Sequence, residues 1–263
     1  MGTTTAFQAI NIKQPAALFA VRNPASLNAV QCQTCSLREL CMPAGLAQNE
    51  TREFDTIVHR KRTLKRGGYL YRAGSPLHSL YAVRTGFIKS SVLHDDGREQ
   101  VAGFHMMGEM LGMDAIGTGK HTSDTVALED SEICEIPFDE FERLSHELPV
   151  LQRHFHRIMS REITRDYGVM LLLGSMRAEE RLATFLLNLS QRFAARGYSA
   201  TQFILRMTRE EIGSYLGLKL ETVSRAFSSF QNQGLILVQN KNIEIKNPAA
   251  LRALIGQCAG TRQ

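Results

Sequence analysis

Short apolar segments separated by turn residues fill the chain from Thr51 to about Phe138. The sequence Asp95-Asp96-Gly97 lies between two of these segments and is typical of a hairpin turn. Many short strands at this spacing predict an antiparallel β-roll. The clearest strand segments are Leu64–Leu70, Leu80–Val83, Gly86–Leu93, Gln100–Phe104, Thr125–Leu128 and Glu132–Ile136.

The apolar period changes to that of a helix from Pro149 to about Leu173, a stretch on the order of 35 Å long. An apolar stripe on a long helix that follows a domain indicates a dimer seam. The alternative is that the stripe packs on its own β-roll, and we favour the seam. The stripe consists of Leu151, Phe155, Met159, Ile163, Tyr167, Met170 and Leu171.

A helix-turn-helix is predicted in the last third of the chain. A helix from about Ala178 to Ala195 and a short strand precede Thr208-Arg209-Glu210-Glu211, which has the pattern of a capping box. Gly213 is small where two helices approach closely, and Gly217 suits a left-handed turn. A second helix follows from about Leu220 to Gln233, and this spacing indicates a helix-turn-helix.

The start of that second helix carries residues suited to reading DNA. Arginine can bond guanine, glutamate can accept from cytosine, and serine or threonine can bond a base or a phosphate. The alternative is an ordinary solvated surface with an i, i+4 ion pair. We favour DNA because two strands, Leu235–Val238 and Ile243–Lys246, follow as a wing. The candidate residues are Glu221, Thr222, Ser224 and Arg225.

Composition narrows the class of protein. The 263 residues include 31 Lys plus Arg against 26 Asp plus Glu, a net charge of +5 that suits a polyanionic partner. The absence of a long apolar run and of a secretory signal predicts a cytoplasmic protein without a membrane span. Five cysteines in such a protein indicate metal, redox or core use instead of disulfides.

Three cysteines are clustered as Cys32-x2-Cys35-x5-Cys41, and Cys134 in the predicted β-roll is the candidate fourth ligand. Thiolates this close can converge on one metal centre. From spacing alone, an iron–sulfur cluster and a structural zinc site are about equally supported. We interpret Cys258 as incidental and residues 1–31 as a lead-in. The scattered histidines, including His154 and His156 on a surface-like helix, form no catalytic set, so no enzyme is predicted.

Four motifs together resemble the FNR/Anr branch of the CRP–FNR regulator family. Their order and spacing cover nearly all of residues 32–246 and are specific as a set. Besides the four cysteines, they are Gly108-Glu109-Met110-Leu111-Gly112, Ala178-Glu179-Glu180-Arg181-Leu182-Ala183 and Glu221-Thr222-Val223-Ser224-Arg225.

This resemblance implies an α+β fold with a cyclic-nucleotide-binding-like β-roll, a long dimerisation helix and a C-terminal winged helix-turn-helix. The corresponding ranges are 1–50 for the cysteine segment, 51–148 for the sensor, 149–177 for the helix and 178–263 for the DNA-binding domain. It implies that the four cysteines ligate an oxygen-labile 4Fe–4S cluster. It also implies that Glu221, Ser224 and Arg225 read a palindrome of the TTGAT-N4-ATCAA type.

The same resemblance implies a homodimer that acts on RNA polymerase, with His94–Gly97 as a candidate polymerase surface. Cyclic-nucleotide sensors of the wider family need an arginine beside Ser or Thr to grip the cyclic phosphate. Here the corresponding segment is Gly119-Lys120-His121-Thr122-Ser123, so we predict no cyclic AMP binding. Lys219 departs from the Ser or Thr common at the helix N-cap of this branch.

Ile163 and Asp166 are predicted to form a dimer switch, because residues three apart share a helix face. Ile163 would contribute apolar burial and Asp166 would bring like charges together, a balance that ordering of the cysteine segment would tip. Asp166 as a solvated outer residue is the alternative. Other open hypotheses are a zinc-stabilised regulator of the same fold, a redox enzyme, and a haem-based nitric oxide sensor.

Overall fold

The computed structural model describes residues 32, 35, 37, 41, 46–58 and 60–256. The predicted lead-in at 1–31 and Cys258 lie outside these residues. The strands, in chain order, are β1 (Arg60–Leu64), β2 (Tyr69–Tyr71), β3 (Ser79–Thr85), β4 (Phe87–Leu93), β5 (Glu99–Met106), β6 (Met110–Leu111), β7 (Asp124–Ala127), β8 (Ser131–Pro137), β9 (Gln202–Ile204), β10 (Ile236–Gln239) and β11 (Asn242–Ile245). The helices are α1 (Gln48–Ile57), α2 (Phe138–Glu147), α3 (Pro149–Ser175), α4 (Ala178–Ala194), α5 (Arg209–Leu216), α6 (Leu220–Asn232) and α7 (Pro248–Gly256).

The predicted antiparallel β-roll is confirmed. It consists of two four-stranded sheets in the orders β1-β8-β3-β6 and β2-β7-β4-β5. Val83, Ile88 and Ile133 are fully buried between strands of both sheets and form the centre of the roll. The β4–β5 hairpin turns at Gly97, whose φ of +84° suits glycine, as the Asp-Asp-Gly signal predicted.

The long helix α3 has two differently exposed halves. Leu151 is only 2% exposed, and the ring of Phe155 packs 4.9 Å from that of Phe141 in α2. The stripe is therefore not one continuous dimer seam, because its first turns pack on their own sensor domain. Farther along, large apolar side chains are 50–65% exposed and remain available to a second copy: Ile163, Tyr167, Met170 and Leu171.

The winged helix-turn-helix is confirmed in local detail. The Glu211 N–H donates to Thr208 Oγ1 over 3.1 Å, and the Thr208 N–H donates to Glu211 Oε2 over 2.8 Å. Gly217 ends α5 in the left-handed region with φ +62°. Strands β10, β11 and β9 form the antiparallel wing sheet. None of the helices in the described ranges combines the length and apolarity needed to cross a membrane.

Candidate metal centre and nucleic-acid interface

The four cysteines singled out by sequence line one cavity beneath the first turns of α3. Cys134 lies on β8, and local turns fold the N-terminal segment toward it: the Cys35 N–H donates to the Cys32 carbonyl over 3.2 Å, and the Cys41 N–H to the Leu37 carbonyl over 3.1 Å. The rest of the lining is largely apolar and includes Phe54, Val58, Met110, Ile136, Phe141 and Leu151.

Burial makes two of these thiols, Cys32 and Cys41, poorer acids than an ordinary cysteine. The pKa of Cys41 is raised to about 12, mainly by burial and then by the neighbouring Cys134 and Cys35, while Arg196 opposes the shift. The pKa of Cys32 is also raised, first by burial and then by its contact with Asp55. Thiolates bind metals, so a cationic iron centre is the kind of partner that would displace these protons.

The thiol arrangement also bears on the kind of metal group. Among the described residues, no three His, Cys, Asp or Glu side chains are gathered closely enough to bind one metal ion. A tetrahedral zinc ion with Zn–S bonds of about 2.3 Å would hold its sulfur atoms only about 4 Å apart. Four thiols that line one cavity are donors that suit either a zinc ion or an iron–sulfur cluster.

Three residues around this cavity were not predicted from the sequence to belong to the site. Asp55 of α1 accepts the Cys32 backbone N–H over 2.9 Å and so anchors the cysteine segment to the sensor domain. His154 lines the cavity, and its Nε2 is buried without a hydrogen-bond partner. Both histidines were placed on a surface-like helix by sequence; His154 is half-buried against the cavity, and His156 is exposed. Arg196 lies close enough to influence the Cys41 thiol.

The loop that would bind a cyclic phosphate has hydrogen-bond donors that are already paired with Asp114. Asp114 Oδ2 accepts the Thr122 N–H over 2.9 Å, the Thr122 hydroxyl over 3.2 Å and the Ser123 hydroxyl over 3.3 Å. Its other oxygen lies 3.2 Å from Nδ1 of His121, whose ring stacks 3.7 Å from that of Tyr71. An anionic phosphate entering this loop would meet a carboxylate that already holds the donors.

Helix α6 presents the predicted DNA-reading side chains outward. Glu221, Ser224 and Arg225 are exposed and Thr222 is half-buried, while Val223 and Phe227 are buried in the domain core. The alternative of an i, i+4 ion pair is not supported, because no ion pair of the described chain joins Glu221 to Arg225. Lys219 is the N-cap and forms no side-chain cap, so the departure seen in sequence is real.

The position of α6 is set by its contact with α5. A Cβ built on Gly213 would lie 2.6 Å from the Leu218 carbonyl oxygen and 3.5 Å from Cγ2 of Val223. Only glycine lets the two helices approach this closely across the turn. The arrangement therefore holds an exposed polar helix face at a fixed angle to the wing, which is the geometry of a major-groove reader.

Comparisons with known proteins agree with the description of the β-roll and with that of the helix-turn-helix. Residues 61–147 match the model of the cyclic nucleotide-binding domain, and residues 180–254 match the Crp-like helix-turn-helix domain. The solved structure of FixK2 from Bradyrhizobium japonicum has a TM-score of 0.68 and 31% identity to this chain. The match covers 74% of this chain and 96% of FixK2.

Two curated relatives are similar over most of their length. The transcriptional regulatory protein btr of Bordetella pertussis is 48% identical over 236 residues, which cover 90% of this chain and 98% of that protein. The fumarate and nitrate reduction regulatory protein of Escherichia coli K12 is 47% identical over 228 residues, which cover 87% and 91% of the two chains.

Proposed function

This chain belongs to the CRP–FNR family of transcription regulators, and we propose that its regulation of DNA binding depends on oxygen through a 4Fe–4S cluster. The protein is an FNR-type regulator and not an enzyme, and its family and helix-turn-helix support a DNA-binding dimer. In the proposal, Cys32, Cys35, Cys41 and Cys134 hold the cluster, and the dimer binds a palindrome of the TTGAT-N4-ATCAA type.

The observation that carries the proposal is the convergence of all four cysteines on one cavity in the sensor domain. The relatives named for fumarate and nitrate reduction support it, since those are processes of anaerobic respiration. When bound, the cluster supplies iron and sulfide that react with oxygen. The surrounding residues give it a mostly apolar wall, and Asp55 anchors the segment that carries the first cysteine.

In the proposal, α3 provides the contact between the two copies of the dimer and α6 provides the contact with DNA. The exposed half of α3 provides an apolar face for a second copy, with Ile163 and Asp166 as the proposed switch. Two copies of α6 would then contact two half-sites that lie about one turn of the DNA helix apart. Glu221, Ser224 and Arg225 are the proposed base readers, and Thr222 is a proposed base or phosphate contact.

Two further parts of the proposal concern partners. Cyclic AMP is not expected to bind, which is supported by the absence of an arginine in the 119–123 loop and by the occupation of its donors by Asp114. RNA polymerase is the proposed protein partner. The β4–β5 hairpin supports this, because Leu93 at its tip is 64% exposed next to the His94–Gly97 turn.

The test is purification of the full chain without oxygen, followed by absorption spectroscopy and by iron, sulfide and zinc analysis. We expect about four iron and four sulfide per chain and a visible absorption band that bleaches in air. Cys134→Ser should lose most of the band, and Cys258→Ser is the matched control that should retain it. A colourless protein containing zinc without sulfide would contradict the cluster and leave a zinc-stabilised regulator.

A further inference from the structure

A partly buried ion cluster joins the sensor domain to the first helix of the DNA-binding domain. Glu109, on the turn between β5 and β6, lies 2.7 Å from an Nη of Arg192 and 2.6 Å from an Nη of Arg196. The side chains of Glu109 and Arg196 are only 14% and 7% exposed. Arg192 lies in the last turn of α4, and Arg196 comes directly after the C-cap residue Ala195.

The two arginines also bind the sensor backbone, which fixes their geometry. Arg192 donates to the Phe104 carbonyl over 2.6 Å, and Arg196 donates to the Met107 carbonyl over 2.5 Å. Each guanidinium thus bridges the Glu109 carboxylate and a backbone oxygen, with little freedom to move. Buried ion pairs contribute more to a defined geometry than to net stability in some systems, because unpaired alternatives are costly.

A second contact between the two domains lies nearer the start of β5. The Val101 N–H donates to Ser214 Oγ over 2.8 Å, and that hydroxyl donates to the Glu99 carbonyl over 3.2 Å. Lys89 of β4 reaches Glu211 of α5 at 3.3 Å. The DNA-binding domain therefore touches β5 through α5 at one point and through the end of α4 at another, and two separated contacts define an orientation.

We propose that Glu109 is a positioning residue for DNA recognition: through Arg192 and Arg196, it sets the angle of the DNA-binding domain on the sensor domain. In a dimer joined along α3, that angle determines the separation of the two α6 helices. The ion cluster then selects the spacing between half-sites without contacting DNA. The inference rests on the proposed function only for the sequence of the half-site.

The test compares affinities for palindromes whose central spacer has the preferred length or is one base pair shorter or longer. The readout is the ratio of the affinity for the preferred spacer to the affinity for the altered spacers. A uniform loss of folded protein lowers all of these affinities equally and leaves the ratio unchanged. Glu109→Gln keeps the side-chain shape and removes the charge, and it should reduce the ratio about tenfold, within the usual range of coupling between sites. Asp130→Asn is the matched control, since it breaks the exposed 2.6 Å pair with Lys65 inside the sensor domain.

A double variant tests whether the residues act as a unit. Glu109→Gln with Arg196→Gln should reduce the ratio no more than either single change does. If Glu109→Gln fails to fold, Arg196→Lys retains the charge but not the two-sided guanidinium bridge, and it should also reduce the ratio. A ratio equal to that of the unmodified protein in the folded variants, or an equal reduction in Asp130→Asn, would overturn the proposal.

The choice of DNA keeps this test separate from the proposed function. Sites selected by the unmodified protein from random DNA with variable spacers can replace the TTGAT-N4-ATCAA palindrome. If the unmodified protein selects another half-site, the proposed recognition sequence fails, and the spacer ratio of the variants still reports on Glu109.

Discussion

Gly213→Ala should destabilise the helix-turn-helix, because the added methyl group meets backbone. The new Cβ would lie 2.6 Å from the Leu218 carbonyl oxygen, and nothing but movement of α5 or of the turn can relieve that contact. Val223 Cγ2, at 3.5 Å, is in ordinary contact and adds no strain. The perturbation therefore acts on the angle between α5 and α6.

The expected magnitude follows from two opposing effects. Overpacking in a closely packed site costs about 1–3 kcal/mol, and a backbone contact that cannot rotate away belongs at the upper end. Alanine gains about 1 kcal/mol over glycine in a helix interior. The net loss is about 2 kcal/mol, which lowers the unfolding temperature by roughly 4–8 °C for a chain of this size.

Thermal unfolding followed by circular dichroism at fixed protein concentration measures this loss. Gly168→Ala is the matched control, because within one copy of the chain the methyl group that it adds to α3 has no neighbour within 4 Å beyond its own helix backbone, and only the helix gain remains there. The two variants should thus shift the unfolding temperature in opposite directions. An unfolding temperature for Gly213→Ala at or above that of the unmodified protein would refute the close approach of α5 and α6.

Three further predictions concern the dimer, base reading and helix capping. Asp166→Ala should remain dimeric in air when examined by analytical ultracentrifugation, because it removes a like charge from the seam; a monomer would count against the switch. Arg225→Ala should relax preference at one base pair by about 1–3 kcal/mol in competition binding with single-base variants; an unchanged preference would remove Arg225 from base reading. Lys219→Ser should stabilise α6 by about 1 kcal/mol in urea unfolding, because the N-cap has no side-chain acceptor; no gain would mean that its donors are already satisfied.

The helix-turn-helix was predictable because its determinants are local. Thr208 and Glu211 are three residues apart and satisfy each other's backbone groups, so the start of α5 is encoded in four residues. Gly217 occupies the left-handed position that ends the helix. Side-chain choices made within one or two turns carry this information, and sequence reading recovers it.

The long helix shows where periodicity stops being informative. Leu151 and Ile163 belong to the same apolar stripe, yet one is buried on the sensor domain and the other is 50% exposed. A helical period identifies an apolar face but not which surface covers it. That depends on where α2 ends and how the β-roll curves, which are properties of the whole fold.

Polar contacts between residues far apart in the chain could not be predicted from the sequence. Glu109 and Arg196 are separated by 87 residues, and their pairing follows only from the packing of α4 against β5. Asp55 is likewise brought to Cys32 by the fold. The four cysteines were found because their side chains have distinctive chemistry, whereas aspartate and arginine are common surface residues without such a signal.

The most direct test of oxygen-responsive DNA binding is to measure the affinity of one anaerobic preparation for its palindrome before and after exposure to air. We predict specific binding without oxygen and a loss of at least about tenfold after air, in step with bleaching of the visible band. Cys134→Ser should bind weakly in both conditions. Equal affinity of the unmodified protein before and after bleaching would contradict the account, because the four-cysteine site would then have no influence on DNA recognition.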